Sequence, residues 1–193
     1  TGGAGTSDKF QIAVDGITDD VTAAEVAGIT AFETWEITGD AASINIATHE
    51  NNVADGKTLN IDATKILTNI FTFDGSAEND GKYNITAAGS NATKDHIITL
   101  GNSDDTYTST SVGGDEVTAT AGNNTITTGD GIDLVTGGTG ADTIKTQAGN
   151  DIIKFATANF TSSDVIDGGA GTDSIQLETN GSTVIDDDFP GVT

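Results

Sequence analysis

Cysteine, methionine and arginine are absent from these 193 residues, and Pro190 is the only proline. Without cysteine the chain has no disulfide, no zinc–thiolate site and no thiol redox chemistry. Without arginine, seven lysines face 30 acidic residues, and the formal net charge is −23. Such a surface repels nucleic acid and anionic membranes, which are bound through Lys and Arg. It attracts divalent cations instead. No apolar run is long enough to span a bilayer, and no secretory signal opens the sequence. The missing methionine, position 1 included, is expected of a piece processed or excised from a longer chain. The only histidines are His49 and His96, and no His-Glu-x-x-His, Gly-x-Ser-x-Gly or phosphate-loop pattern occurs. The sequence therefore reads as non-enzymatic.

What is present is a nine-residue beat. Gly137-Gly138-Thr139-Gly140-Ala141-Asp142-Thr143-Ile144-Lys145 and Gly168-Gly169-Ala170-Gly171-Thr172-Asp173-Ser174-Ile175-Gln176 are its cleanest copies. Aligned on Gly-Gly-x-Gly-x-Asp-x-U-x, with U aliphatic, consecutive units run 110–118, 119–127, 128–136, 137–145 and 146–154. A four-residue insertion, Phe155 to Ala158, precedes units 159–167 and 168–176. The Asp position reads Asp115, Asn124, Asp133, Asp142, Asp151, Asp164 and Asp173. The U position reads Val117, Ile126, Val135, Ile144, Ile153, Ile166 and Ile175, all β-branched. A degenerate copy at Leu100 to Thr108 puts Asp105 and Tyr107 in the two key positions.

Nine residues are too few for a helix pair and out of step with a heptad. They suit a short strand plus a tight turn, with two units per coil of a parallel solenoid. Only U then points inward. Val117, Val135 and Ile153, each two units beyond the last, form one ladder, and Ile126 and Ile144 begin the other.

The same geometry predicts metal sites. Glycine turns offer backbone carbonyls because no Cβ blocks their approach, and the Asp adds charge. Calcium takes about six to eight oxygens in flexible geometry. Softer metals want His or Cys, which this region lacks. Turns two units apart face each other, which pairs Asp115 with Asp133, Asn124 with Asp142, and Asp133 with Asp151. With the insertion looped out, Asp142 pairs with Asp164 and Asp151 with Asp173. Asp130 is an extra candidate ligand. The turn glycines expected to bring carbonyls inward are Gly129, Gly131, Gly138, Gly140, Gly149, Gly169 and Gly171. Asn124 lacks a charge, so its site should be the weaker. Several Ca2+ ions are expected.

The first hundred residues alternate apolar with polar in segments such as Phe32 to Ile37, Ser43 to Ile46, Thr58 to Ile61, Ile70 to Phe73, Tyr83 to Thr86 and His96 to Thr99. Thr18 to Ala27 reads as a short helix capped by Thr18, Asp19 or Asp20. The fold expected is all-β: an elongated parallel β-solenoid. An irregular strand ladder would fill 1–100, a calcium-loaded roll 101–176, and the start of a following module or linker 177–193. Gly2-Gly3-Ala4-Gly5-Thr6-Ser7-Asp8 resembles Gly168 to Asp173, which points to one unit of a tandem array.

The nonapeptide resembles the calcium-binding repeat of RTX proteins, whose β-roll is a parallel solenoid. Phe32 to Ile37, Leu59-Asn60-Ile61-Asp62-Ala63 and Phe71-Thr72-Phe73-Asp74-Gly75-Ser76 resemble strands of RTX-type bacterial surface-layer proteins and large adhesins. The resemblance implies type I secretion, folding on Ca2+ outside the cell, and a structural role in a lattice or filament at the bacterial surface. Solenoid ends leave unpaired strand edges, so self-association is the partner expected, with a cell-surface polysaccharide as a further candidate. The resemblance also leaves open a spacer in an adhesin, or the RTX region of a secreted enzyme with its catalytic domain elsewhere.

Overall fold

The computed structural model describes residues 8–14, 19–39, 43–91, 93–179 and 182–186. The chain winds as a solenoid between two facing sheets. Sheet 1 holds eight parallel strands: Lys9–Val14, Thr34–Gly39, Thr58–Ala63, Lys82–Ala87, Thr106–Ser109, Thr125–Thr127, Thr143–Lys145 and Val165–Asp167. Sheet 2 alternates with it along the chain: Asp19–Val21, Ser43–Ala47, Ile70–Asp74, Lys94–Thr99, Gly114–Thr118, Leu134–Gly137, Ile152–Ala156 and Ser174–Thr179. A ninth strand, Ser182–Asp186, turns back antiparallel on the last of these. This is the expected all-β parallel solenoid. The glycine signature at residues 2–7 and the segment from 187 onward lie outside the described residues, so the array reading is carried by the sequence alone.

Both predicted ladders form. Val117 pairs with Val135 and Val135 with Ile153, while Ile126 pairs with Ile144 and Ile144 with Ile166. Tyr107 stands in the ladder position below Ile126, as the degenerate copy predicts. Val117, Ile126, Val135, Ile144 and Ile153 are fully enclosed, each burial contributing about 1.5–3 kcal/mol.

Coil length changes along the solenoid. In the early, long coils Lys9 pairs with Thr34 and Ser43 with Ile70. In the later, short ones Thr125 pairs with Thr143 and Glu116 with Leu134, just two nonapeptides on. A long coil carries two or three inward positions per strand and encloses wide side chains: Trp35, Phe71, Phe73 and Tyr83 are all buried, with the Phe73 and Tyr83 rings 5.1 Å apart. These aromatics are core and line no surface site. A short coil carries one inward residue per sheet 1 strand, aliphatic at Ile126 and Ile144. Both sheets cross residue 100 without interruption, Ile98 pairing with Val117.

Two local expectations are corrected. The helix is only Ala23–Val26, and its N-cap is Thr22. The Glu25 carboxylate accepts from the Thr22 amide at 2.8 Å and from its hydroxyl at 2.9 Å. Asp19 and Asp20 do not cap it, because Asp19–Val21 is drawn into sheet 2 against Ile44–Ile46. The inserted residues, read as Phe155 to Ala158, are placed differently: Phe155 and Ala156 extend the strand, Phe155 fully buried, and the excess chain loops out beyond them.

Candidate metal centre

The turns of the solenoid stack along two edges. Where the chain passes from sheet 1 to sheet 2 lie Asp115, Asp133, Asp151 and Asp173. Where it passes back lie Asp105, Asn124, Asp142 and Asp164. On each edge the side chain of one coil reaches the backbone of the coil before it. Asp133 Oδ1 accepts from the Asp115 amide at 2.7 Å, Asp151 Oδ1 from Asp133 at 2.9 Å, and Asp173 Oδ1 from Asp151 at 3.0 Å. On the other edge Asn124 Oδ1 accepts from the Asp105 amide at 3.0 Å, Asp142 Oδ1 from Asn124 at 2.9 Å, and Asp164 Oδ1 from Asp142 at 2.9 Å. All five pairs expected from the spacing are thus neighbours in space, each tied by a hydrogen bond. A turn amide that would otherwise be unsatisfied is met by the next coil's acid.

That bond occupies one oxygen of each carboxylate. The other is buried and receives no hydrogen bond at Asp142, Asp151 and Asp173. The Gly138 amide and Thr146 hydroxyl favour the charged forms of Asp142 and Asp151 without reaching hydrogen-bond geometry on those oxygens. Buried polar atoms are normally paired, so these three oxygens have the character of ligand positions. Burial raises the carboxyl pKa of Asp142 and Asp151, and the neighbouring Asp164 and Asp173 raise them further. Burial likewise pushes Asp133 up to about 7 and Asp105 up to about 6. Low dielectric and like charge both oppose ionisation. A bound cation reverses both effects.

The glycines complete the cradle. Gly129, Gly131, Gly138, Gly140, Gly149, Gly169 and Gly171 each press against the backbone of the turn one coil earlier. A Cβ on Gly149 would fall 1.6 Å from the Gly131 carbonyl oxygen, and one on Gly171, at φ 143°, would fall 1.5 Å from that of Gly149. Only glycine allows these turns to stack at strand spacing. The residues present therefore fit a hard cation such as calcium. Asp133, Asp151 and Asp173 on one edge and Asp142 on the other, with the turn carbonyls, would hold such ions, which would supply the positive charge that each edge lacks.

The remaining sequence-predicted residues differ in setting. Asp115 turns inward. Its Oδ1 lies 2.8 Å from His96 Nδ1 and 3.0 Å from the Ser111 hydroxyl, and its Oδ2 accepts from the Tyr107 hydroxyl at 3.1 Å. His96 is wholly buried in this network, in keeping with a structural role. Asp164 is half-buried and its Oδ2 accepts from the Thr161 amide at 2.7 Å. Asp130 is exposed on its turn. Asn124 donates to the Ala121 carbonyl and to Asp142, doing with its amide what its missing charge cannot. Asp133 Oδ2 accepts from the Thr128 hydroxyl. Sequence reasoning gave little weight to Asp105, whose Oδ1 accepts from the Tyr83 amide and Oδ2 from the Gly101 amide. It overlooked Asp95, wholly buried and accepting from the amides of Asn91 and Gly113. The available signal was that Asp105 precedes Asn124 by 19 residues, one more than two nonapeptides.

A parallel β-solenoid whose edges are ladders of buried carboxylates and stacked glycines is a structural module built around hard cations. The RTX calcium-binding nonapeptide repeat (4 copies) matches the chain over residues 109–135, 127–155 and 161–177, about a third of its length. RTX calcium-binding repeats are thus present, and the fold over them is that of an RTX β-roll, a non-catalytic calcium-binding repeat. No curated protein and no solved structure matches the chain. Among the described residues no helix is long and apolar enough to cross a membrane.

Proposed function

We propose that this chain is a calcium-dependent building block of a bacterial extracellular assembly, a surface layer or a filament, and that it folds on Ca2+ after secretion. The observation that carries the reading is the pair of carboxylate ladders, with buried oxygens that no protein group satisfies at Asp142, Asp151 and Asp173. Without metal these charges repel across coils and oppose folding. Metal binding then supplies folding free energy. Low cytosolic and high external calcium would keep the chain unfolded until it is exported.

Assembly has separate support. Within the described residues, Lys9–Val14 and Val165–Asp167 end sheet 1 and are paired on one side only. An open strand edge is a template for another chain. Far-UV circular dichroism should show coil in chelator and β structure on adding calcium. Native β signal that persists in chelator would refute calcium-triggered folding. Electron microscopy with calcium should show ordered sheets or filaments. A protein that remains monomeric in calcium would remove the building-block reading and leave a spacer module of an adhesin.

A further inference from the structure

The long coils hold acidic residues that fall outside the nonapeptide pattern. Glu50 opens the 3-10 turn Glu50–Asn52 that follows strand Ser43–Ala47. Glu78 and Asp80 lie in the turn that follows strand Ile70–Asp74. These two strands pair in parallel, Ser43 with Ile70, so the two turns stack on the edge that carries Asp142 further along. Glu50, Glu78 and Asp80 each bring a carboxylate oxygen within 4.8 Å of the other two.

Glu78 distinguishes this trio from an ordinary acidic surface. It is fully buried, at 0% exposure. Its Oε1 accepts from the Gly81 amide at 2.9 Å and the Asp80 amide at 3.3 Å. Its Oε2 is buried and accepts from nothing. A buried, unpaired carboxylate oxygen beside two more carboxylates is costly unless a positive charge meets it. No lysine does so: the nearby Lys82 is paired with Asp104 at 3.1 Å, and no described ion pair reaches the trio. Burial, with Glu50 and Asp80 adding repulsion, holds the Glu78 carboxyl above its usual range. Glu50 is half-buried and Asp80 exposed, which leaves the group open to solvent on one side. Gly81 permits the approach, since a Cβ there would sit 2.4 Å from Val53 Cβ, beside the 3-10 turn.

We propose that Glu50, Glu78 and Asp80 form a further divalent-cation site, of calcium-type chemistry, that clasps two long coils upstream of the repeats. Three carboxylates bring hard oxygens together from two turns, Glu50 Oε2 accepting from the Asn79 side chain and Glu78 Oε2 left free. That set suits calcium better than the strict octahedron of magnesium, and it offers softer metals no nitrogen or sulfur. The site extends cation clamping of one solenoid edge into coils whose spacing bears no trace of the nonapeptide. It does not rest on calcium-triggered folding: a chain that folds without metal could still carry it.

The test is calcium stoichiometry of the full chain, measured by isothermal titration and equilibrium dialysis. The double variant Glu50→Gln/Asp80→Asn alters two accessible side chains, and Glu78→Gln removes the buried charge. Each should bind one calcium fewer than the parent, with the far-UV spectrum in saturating calcium unchanged. Undiminished stoichiometry in the double variant would overturn the site. Crystals of the unmodified chain soaked in Tb3+ decide the matter without relying on any variant's folding. An anomalous peak among the three carboxylates supports the site, and peaks confined to the repeats overturn it.

Discussion

Replacing Asp133 by asparagine should shift stability in opposite directions with and without calcium. The Asp133 side chain is buried, and burial pushes its pKa up to about 7 from 3.8, with Asp115 and Asp151 adding repulsion. A group whose folded pKa is raised contributes fully below its unfolded pKa and loses that contribution as pH rises through the folded value. Three units at ~1.4 kcal/mol each set a ceiling of about 4 kcal/mol lost once Asp133 is ionised. Asn124 shows that the neutral side chain fits this position: it accepts the preceding coil's amide at 3.0 Å and donates to the Ala121 carbonyl at 3.1 Å. Relaxation and water reduce the ceiling, so the variant should gain about 1–3 kcal/mol in chelator at about pH 8. In calcium it loses a charged ligand, and each tenfold weakening of affinity costs about 1.4 kcal/mol. The assay is urea unfolding followed by circular dichroism, in chelator with sucrose to hold both proteins folded, and again in millimolar calcium. A variant no more stable than the parent in chelator, or no less stable in calcium, refutes the reasoning.

Other outcomes follow from the same structure. In chelator, with sucrose again holding the chain folded, the thermal midpoint should fall as pH rises from about 4 to about 7, through the raised pKa values of Asp105 and Asp133. Saturating calcium should flatten that slope, and a midpoint that rises with pH in chelator would contradict it. Gly149→Ala places a Cβ 1.6 Å from the Gly131 carbonyl oxygen, so the coils must part. Its thermal midpoint in calcium should drop and its bound calcium decrease, and a parent-like melt with full binding would count against stacked turns. Phe155→Ala empties a fully buried position beside Phe160, whose ring lies 5.2 Å away. It should cost about 3–5 kcal/mol in urea unfolding, whereas a loss below about 1 kcal/mol would mean the insertion loop closes over the gap.

The roll was legible because its period is local and strict. With one inward residue per unit, a slip of one position exposes the whole ladder, so Val117, Val135 and Ile153 declare their own register. Turn pairing follows by counting, which is why Asp133 meets Asp151 and Asp142 meets Asp164. The long coils do not announce themselves this way. Their spans, Lys9 to Thr34 and Ser43 to Ile70, are unequal and share no repeat, so alternation reveals the strands but not which strand stacks on which. The helix is shorter than its sequence suggests because Asp19–Val21 carries a β-branched residue and lies beside an open position on sheet 2, and pairing there outweighs weak helical preference.

By itself the sequence determined the solenoid, the residues that plug its short coils, and the acids that neighbour one another along its edges, because a nine-residue period leaves each unit a single way to bury its aliphatic residue. The direction of each side chain was decided by the tertiary structure. Asp115 and Asp133 occupy the same place in the repeat, yet Asp115 is drawn into the core by Ser111 of its own unit and by His96 and Tyr107, which precede the regular beat. Glu50, Glu78 and Asp80 come together only because two unequal coils stack. Contacts between coils of irregular length have no fixed offset in sequence, so only the folded chain brings them into view.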